Sequence, residues 1–339
     1  MTFGAGAAFC AYGAATVTLT ASATAPSVPC TGFARTIDQS NNDLGADYIQ
    51  VNTLFPSTAS ADQICANFAN DSTHAYLVNI GEGTDASALN EFATLGTVTT
   101  TDGCLYAPQT AIVHGTALGA PQFTTMGAAG MSLVWLPHSD VTLYGQTTNV
   151  PLALAQGVNV SLGTSWSITG SNNLLAELRY ADQVDNTTWG DVLTAYDLVQ
   201  MVTTHAAKTL ALDAVLGSVE AGKKADLTVV AAASCAAPWS TLLGARPRDL
   251  RLVLVGGVPL YGDVSMQSAA PASPGCEAMD VCGVSKFVCV AESGGTPTNK
   301  FGQTLADIVG TLTQGLADYD AFGLTQWTFS PITPLVDCP

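Results

Sequence analysis

Short apolar runs rich in β-branched residues alternate with stretches of helical spacing over the first 215 residues. Each run stops at a glycine, a proline or a polar residue, as buried parallel strands do. The strand candidates are 16–19, 48–52, 75–80, 110–113, 131–136 and 158–162. The helix candidates are 87–95, which follows Asp85 as an N-cap, 149–155 and 172–181. This alternation predicts an α/β fold with a parallel sheet, either open or closed into a barrel.

The pattern changes after residue 215. Two strand candidates, 227–230 and 252–255, have no helix of comparable length between them and predict a small separate sheet. Residues 264–300 are rich in Ser, Pro, Gly and Cys and predict a disulfide-stapled loop region, followed by a helix over 304–316. We therefore divide the chain into a barrel domain (1–215), a small β-sandwich portion (216–263) and a Cys/Pro/Gly-rich extension with one helix (264–339).

The charge of the chain excludes two classes of partner. Ten Lys and Arg stand against 27 Asp and Glu, so the formal net charge is -17. A surface this acidic repels nucleic-acid phosphates and anionic membrane surfaces, so we expect no nucleic-acid partner. No purely apolar run reaches the roughly 20 residues that a membrane-spanning helix needs, so no membrane span is predicted.

Nine cysteines, four of them after residue 275, indicate an oxidising environment. We expect disulfides, most readily between two of Cys276, Cys282 and Cys289, and an extracytoplasmic or secreted location. The alternative is a set of buried free thiols in a cytosolic protein. Because nine is odd, at least one thiol is free or pairs outside the chain. Residues 1–4 lack the basic start of a signal peptide, so a missing preceding segment is expected.

Two late segments resemble the amidohydrolase superfamily. Residues 216–227 read LGSVEAGKKADL, and residues 253–262 read VLVGGVPLYG. In that superfamily such stretches lead from the barrel into a small β-sandwich. The likeness continues upstream at five places, namely 80–83 with 91–92 (fifth strand), 113–115 (sixth), 133–140 with 143–145 (seventh), 162–166 with 170–171 and 177–179 (eighth), and 13–17 (second). The resemblance covers roughly residues 10–263. Within the superfamily, it is strongest to the branch that contains guanine deaminase and the triazine hydrolases.

The resemblance implies a TIM-type (β/α) barrel that is incomplete at its first strand. Nothing before Gly13 resembles that strand, which in the family carries a metal-binding His-x-His pair. The only histidines are His74, His114, His138 and His205, and none are spaced in that way. A barrel without its first strand has two exposed edges, which invite pairing with another chain. We therefore expect another polypeptide, or further copies of this chain, to complete the barrel.

The metal ligands that the resemblance implies are replaced. In this branch a His on the fifth strand and an Asp on the eighth complete the metal site begun by the His-x-His pair. Asn79 stands at the first of these positions and Ser165 at the second. An amide and a neutral hydroxyl are poor zinc ligands beside imidazole or carboxylate. We therefore expect no metal.

Two family residues with chemical roles are present. Glu82 matches the proton-shuttling acid/base, and His114 matches the sixth-strand His that polarises the substrate. Without the resemblance, Glu82 is read as a solvated loop carboxylate and His114 as a core histidine. The substrate pocket implied by the resemblance is lined by Asn79, His138, Ser139, Asp140, Ser165 and Trp166.

Two hypotheses follow from these residues. The first is a non-catalytic binding or assembly scaffold with an amidohydrolase-like barrel and no cofactor, able to hold a small cyclic amide. The alternative is a metal-dependent hydrolase of C–N bonds in cyclic amides or amidines. That alternative requires zinc ligands supplied by another segment. The zinc content of the purified protein therefore distinguishes the two hypotheses.

Overall fold

The computed structural model describes residues 6–8, 12–14, 47–166, 168–232, 236–269, 276–289, 303–321 and 338. The strands are β1 (Gly6–Ala8), β2 (Tyr12–Ala14), β3 (Ile49–Asn52), β4 (Ala75–Ile80), β5 (Thr110–His114), β6 (Ser132–Trp135), β7 (Asn159–Leu162), β8 (Leu227–Val230), β9 (Leu250–Val255), β10 (Val258–Asp263), β11 (Cys276–Val281) and β12 (Val284–Cys289). The α-helices are α1 (Thr58–Ala69), α2 (Ala86–Leu95), α3 (Ala120–Ala129), α4 (Pro137–Tyr144), α5 (Val150–Ala155), α6 (Leu174–Val184), α7 (Ala195–Met201), α8 (Thr204–Thr209), α9 (Pro238–Gly244) and α10 (Leu305–Ala321). Shorter helical turns lie at Asp185–Trp189, Pro247–Asp249 and Val264–Ala269.

Five parallel strands form the first sheet, in the order β3-β4-β5-β6-β7. Each lies within one residue of a run predicted from the sequence, and a helix follows each of the five along the chain. Strand β4 is buried at five of its six residues, which explains why it reads as a nearly continuous apolar run. The parallel α/β architecture predicted from the alternation is confirmed.

The two faces of this sheet are packed by different parts of the chain. Tyr76, Val78 and Ile80 of β4 belong to the large core that the flanking helices cover. Leu77 faces a second core, formed with residues of α8 and of the segment that follows it. The Tyr48 hydroxyl, just before β3, donates to the carbonyl of Ala211 at 2.8 Å, so this segment packs at the amino end of the sheet. The segment after α8 therefore leaves the carboxyl ends of the strands uncovered, and a ligand-binding site can form there.

Closure of the sheet into a barrel is not seen among the described residues. Strands β3 and β7 are the two ends of the sheet as described. The strand predicted at 16–19 lies outside the described residues. The neighbouring strand β2 belongs instead to the second sheet, where it pairs with β1.

A seven-stranded sheet forms the other layer, in the order β11-β12-β10-β9-β8-β1-β2. Its strands β8 and β9 are those predicted at 227–230 and 252–255. The prediction of a loop region over 264–300 is wrong for 276–289, because β11 and β12 form a hairpin there that extends this sheet. Burial of Lys286 explains the difference, since its ammonium contacts the Asp263 carboxylate of β10 and two backbone carbonyls. The sheet therefore crosses the boundary drawn at residue 263.

Three disulfides lie in the described part of the chain. Cys276–Cys289 joins the two strands of the hairpin and confirms the expected pairing among the late cysteines. Cys282–Cys338 ties the hairpin turn to the end of the chain. Cys65–Cys104, between α1 and the segment after α2, was not predicted. In the described ranges, no helix combines the length and the apolar character needed to cross a bilayer.

Candidate active site

The first candidate residue, Glu82, lies just beyond the carboxyl end of β4. The chain turns there at Gly81, whose φ of +68° is a conformation that glycine adopts without strain. The backbone N–H of Gly81 donates to the Glu91 carboxylate of α2 at 2.8 Å, which fixes the turn. The side chain of Glu82 is 33% exposed, so its carboxylate is open to solvent and to a ligand.

The second candidate, His114, ends the neighbouring strand β5, where it pairs in register with Ile80 of β4. Its φ of +72° lies in the left-handed region, which is uncommon for a residue other than glycine. The Thr148 hydroxyl donates to the His114 carbonyl at 2.6 Å and helps to hold this conformation. Backbone strain of this kind, held by its surroundings, is frequent at functional sites.

Helix α4 brings two more side chains to this pair. Pro137 opens the helix at a position where its missing N–H is not needed. Asp140 and Tyr144 are four residues apart, so they share one helix face. The fully buried Asp140 Oδ1 lies 2.9 Å from His114 Nδ1, and the Tyr144 hydroxyl donates to Glu82 Oε1 at 3.1 Å.

Three contacts connect the four side chains in the order Asp140, His114, Glu82 and Tyr144. The link between the two strand ends is that of His114 Nε2, which lies 3.5 Å from Glu82 Oε2. Since a carboxylate can only accept, Asp140 holds a proton on His114 Nδ1. The other ring nitrogen, Nε2, then faces Glu82. Behind Asp140, the Thr147 hydroxyl donates to Oδ2 at 2.9 Å.

The hydroxyl of Tyr144 is in a negative environment. Burial raises its pKa to about 12, and the charge of Glu82, its hydrogen bond to Glu82 and the charges of Asp140 and Glu91 act in the same direction. Tyr144 therefore stays protonated at neutral pH and remains a donor. Within the described residues, the only ion-pair partner of Glu82 or Asp140 is the His114 ring, which is positively charged only when both ring nitrogens carry a proton.

His138 belongs to a different cluster. It is two residues from Asp140, about 200° around the helix, and so points to the opposite side of α4. Its ring stacks on Tyr180 at 4.3 Å, and its Nδ1 lies 3.0 Å from the Ser171 hydroxyl oxygen. The buried Glu177 of α6 accepts the backbone N–H groups of His138 and Ser171 at 3.1 and 3.2 Å. This cluster anchors the segment after β7 to α4.

The remaining predicted pocket residues lie around the same edge of the sheet. Asn79 is half-buried on β4 and, by strand alternation, shares the face of Leu77. Ser139 is buried, and its hydroxyl lies 3.2 Å from that of Thr169. Ser165 is half-buried after β7, and Trp166 beside it is 78% exposed. In the described ranges, neither Ser165 nor Trp166 has a side-chain hydrogen bond or ion pair to Glu82 or His114.

The side chains at this edge do not fit a metal ion. No group of three or more His, Cys, Asp and Glu residues in the described ranges is placed to bind one. Asn79 and Ser165 stand at the two positions where the resemblance implies His and Asp. The Nδ1 of His114 is already engaged by Asp140. A zinc site therefore needs donors from beyond the described residues.

Sequence reasoning missed three members of the site. Tyr144 carries a usable signal, because it lies one helical turn after Asp140. Glu91 lies in a segment that carries the resemblance, but its contact with Gly81, 10 residues earlier, appears only in the structure. Thr147 lies outside those segments, and its contact with Asp140 is likewise visible only in the structure.

Comparison with known proteins places these residues in a family. A family model described as the amidohydrolase family matches residues 66–259, more than half of the chain. A 5-methylthioadenosine/S-adenosylhomocysteine deaminase of Teredinibacter turnerae is 29% identical over 147 residues, 42% of this chain and 33% of its own length. The deaminase of that name from Symbiobacterium thermophilum is 31% identical over 153 residues, 41% of this chain and 34% of its own. The chain thus spans about a third of the length of these relatives.

Solved structures share the fold. A zinc-bound adenosine deaminase from Xanthomonas campestris superposes with a TM-score of 0.54 at 20% identity, covering 62% of this chain and 50% of its own. The guanine deaminase of E. coli gives a TM-score of 0.52 at 19% identity, covering 61% and 52%. At this identity the likeness describes the fold alone.

Proposed function

Because this chain belongs to the amidohydrolase family, we propose that it takes part in hydrolysis of a C–N bond in a cyclic amide or amidine. The observation that carries the proposal is the set of contacts that connects Asp140, His114, Glu82 and Tyr144. The names of the relatives, which are deaminases, point to the same class of bond.

In this proposal these four side chains transfer one proton. Asp140 keeps His114 Nδ1 protonated, so a single further proton lies between His114 Nε2 and Glu82 Oε2, which are 3.5 Å apart. Glu82 is the exposed member and exchanges that proton with a substrate nitrogen or a water molecule. Tyr144 orients the carboxylate by donating to its other oxygen. Asp140 and Tyr144 are positioning residues, while Glu82 and His114 face the reacting atoms.

The proposal routes no step through a metal ion, because the described residues do not fit one. This chain is assigned the proton-transfer side chains only. The ligands of a metal ion would have to come from outside the described residues or from another polypeptide.

A second candidate function is a ligand-binding scaffold without catalysis. Asn79 and Ser165 favour it, since both replace residues that the family resemblance implies as metal ligands. The two candidates share one pocket and differ in whether a bound compound is turned over.

Product formation separates the two candidates. The purified full chain is incubated with adenosine, guanine, a cyclic amide and an aminotriazine, with and without added zinc, and the gain of water or loss of an amino group in each compound is followed by mass spectrometry. The first candidate predicts turnover of at least one compound, reduced about 100-fold or more in Glu82→Gln, since general acid–base groups contribute at that scale. The control His74→Gln carries a similar change in a residue before β4, at the opposite end of the sheet, and keeps full activity.

Binding of a panel compound without turnover under either condition contradicts the first candidate and supports the second. Turnover that is equal in the wild type and in Glu82→Gln contradicts the role given to Glu82. Thermal melting of each variant shows that it is folded.

We further propose an extracytoplasmic location, supported by the three disulfides of the described residues. Intact mass of protein from its native cells, before and after reduction, tests this. Full alkylation of all cysteines without prior reduction contradicts it.

A further inference from the structure

Three side chains of the site stand in the order of a catalytic triad. On one side of its ring His114 Nδ1 lies 2.9 Å from Asp140 Oδ1, and on the other His114 Nε2 lies 3.5 Å from Glu82 Oε2. Exposure increases along this series, since the side chain of Asp140 is 0% exposed, that of His114 5% and that of Glu82 33%. A buried acid, a base that it orients and an accessible third group are the parts that activated nucleophiles share on unrelated folds.

The hydrogen bonds behind Asp140 fix the direction in which each proton points. The indole N–H of the buried Trp135 can only donate, and it donates to the Thr147 hydroxyl at 2.7 Å. The proton of that hydroxyl is therefore directed at Asp140 Oδ2, at 2.9 Å, while Oδ1 accepts from His114 Nδ1. The other nitrogen of His114, Nε2, is thus the one that can accept or release a proton, and it faces Glu82.

Glu82 is placed to act as the nucleophile of this triad. Tyr144 donates to its Oε1 at 3.1 Å, which orients the carboxylate and holds Oε2 beside His114. A carboxylate needs no base before it attacks an electrophilic carbon, and it forms a covalent ester there. That ester must then be hydrolysed by water, and His114 Nε2 lies where a base that activates this water is needed.

We propose that Glu82, His114 and Asp140 hydrolyse a small epoxide through a covalent ester on Glu82. This inference goes beyond the proposed function, because the bond that breaks is C–O and no C–N bond takes part. An epoxide suits the site for two reasons. Its strained ring carbon reacts with a carboxylate, and its oxygen can accept a hydrogen bond from the Tyr144 hydroxyl beside Glu82.

Atoms and protons balance over two steps. In the first, Glu82 Oε2 attacks a ring carbon, the C–O bond of the epoxide breaks, and the resulting alkoxide takes the proton that lies between Glu82 and His114 Nε2. In the second, water attacks the Cδ atom of the ester and gives one proton to His114 Nε2. The ester bond from Cδ to oxygen then breaks, the departing oxygen takes the other proton of the water, and the Glu82 carboxylate is restored. One epoxide and one water become one diol.

A single turnover in heavy-oxygen water tests the ester directly. The full chain, in excess over phenyl glycidyl ether, reacts in buffer that contains EDTA, and mass spectrometry analyses the diol and the peptide that contains Glu82. We expect the new hydroxyl of the first diol to carry ordinary oxygen, taken from Glu82, and Glu82 to gain the heavy isotope. Direct attack of water on the epoxide gives the opposite pattern.

Variants of the triad assign the two steps. Asp140→Asn offers an amide to His114, which favours a proton on Nε2 and so removes the base. We expect this variant to accumulate the Glu82 ester and to release diol at least about 100-fold more slowly than the wild type. Glu82→Gln should form neither ester nor diol. Glu220→Gln is the matched control and should keep both steps; at 62% exposed, Glu220 would be the more reactive carboxylate if labelling depended on exposure alone.

Thr147 separates the orientation of Asp140 from simple packing. Thr147→Val keeps nearly the same shape without the hydroxyl that donates to Asp140. We expect it to accumulate the Glu82 ester, whereas Thr147→Ser, which keeps the hydroxyl, should release diol at close to the wild-type rate. Equal accumulation of ester in the two variants contradicts this role of Thr147.

Heavy oxygen in the first diol overturns the inference, as does an adduct on Glu220 in place of Glu82. Equal rates of diol release in the wild type and in Asp140→Asn, or a reaction that EDTA abolishes, also overturn it. So does the absence of both adduct and diol with phenyl glycidyl ether and with the smaller propylene oxide. Failure of the proposed function is separate, since it appears as absent turnover of adenosine, guanine, the cyclic amide and the aminotriazine while the epoxide is still hydrolysed.

Discussion

Replacing the buried Glu177 is expected to change how the stability of the protein depends on pH. Its carboxylate is inaccessible to solvent and joins two segments that flank the site, because its two oxygens accept the backbone N–H groups of His138 and Ser171. Burial raises its pKa from 4.5 to about 7, against the lowering effect of the Ser171 hydroxyl and the two backbone donors. The charge of Asp140 adds to the rise.

The direction of the effect follows from this raised pKa. Between pH 4.5 and 7 the folded protein holds a proton on Glu177 that the unfolded chain has released, so stability falls as pH rises through this range. A rise of the Glu177 pKa from 4.5 to about 7 corresponds to a total loss of about 3 kcal/mol of folding stability across this pH range. Glu177→Gln cannot titrate, and its amide nitrogen cannot accept the second backbone N–H. The variant should therefore be about 1–3 kcal/mol less stable than the wild type near pH 5.

Urea unfolding followed by tryptophan fluorescence at pH 5, 6, 7 and 8 measures the difference. The stability advantage of the wild type over Glu177→Gln should shrink by about 2–3 kcal/mol between pH 5 and pH 8. Glu220→Gln serves as the control, because the pKa of Glu220 is lowered by its hydrogen bond to Ser218 and it titrates below this range. A difference that stays constant with pH, or that grows as pH rises, refutes the assignment of a raised pKa to Glu177.

Three further variants test packing, the unpredicted disulfide and the site. Gly127→Ala in α3 places a methyl group 1.9 Å from a backbone carbonyl oxygen and should lower the free energy of unfolding in urea by about 1–3 kcal/mol. Its control, Gly310→Ala, has open space around the added methyl group and should be neutral or stabilising, so equal effects of the two changes would contradict the packing. The double variant Cys65→Ser and Cys104→Ser opens a loop of 39 residues and should lower the free energy of unfolding by about 4 kcal/mol in the chain-entropy model. An unchanged midpoint of urea unfolding would argue against the disulfide. Tyr144→Phe removes the hydroxyl that orients the Glu82 carboxylate and should lower the turnover rate about tenfold without changing the melting temperature. Full activity of the variant would show that the hydroxyl is dispensable.

The amino-acid sequence alone determined the parallel sheet and where its strands lie. Strands β4, β5 and β6 are buried on both faces, so each appears as an unbroken apolar run that ends at a glycine, histidine or proline. Helix α2 begins where Asp85 accepts from the Ala88 backbone, a local contact that the sequence shows directly. The motif at 216–227 determined the family, because it is a continuous segment. All of these signals lie within a few neighbouring residues.

Only the tertiary structure decided the features that join distant segments. The sequence predicts a loop where β11 and β12 form a hairpin. A lysine is buried in this hairpin at low cost only because Asp263, 23 residues before Lys286, lies beside it, and the local sequence does not show that pairing. The contact of His114 with Asp140 spans 26 residues and requires α4 to cross the end of β5. A charged or polar side chain is buried at low cost only when its partner is in place. That partner is chosen by how strands and helices pack, and local sequence patterns do not contain this information.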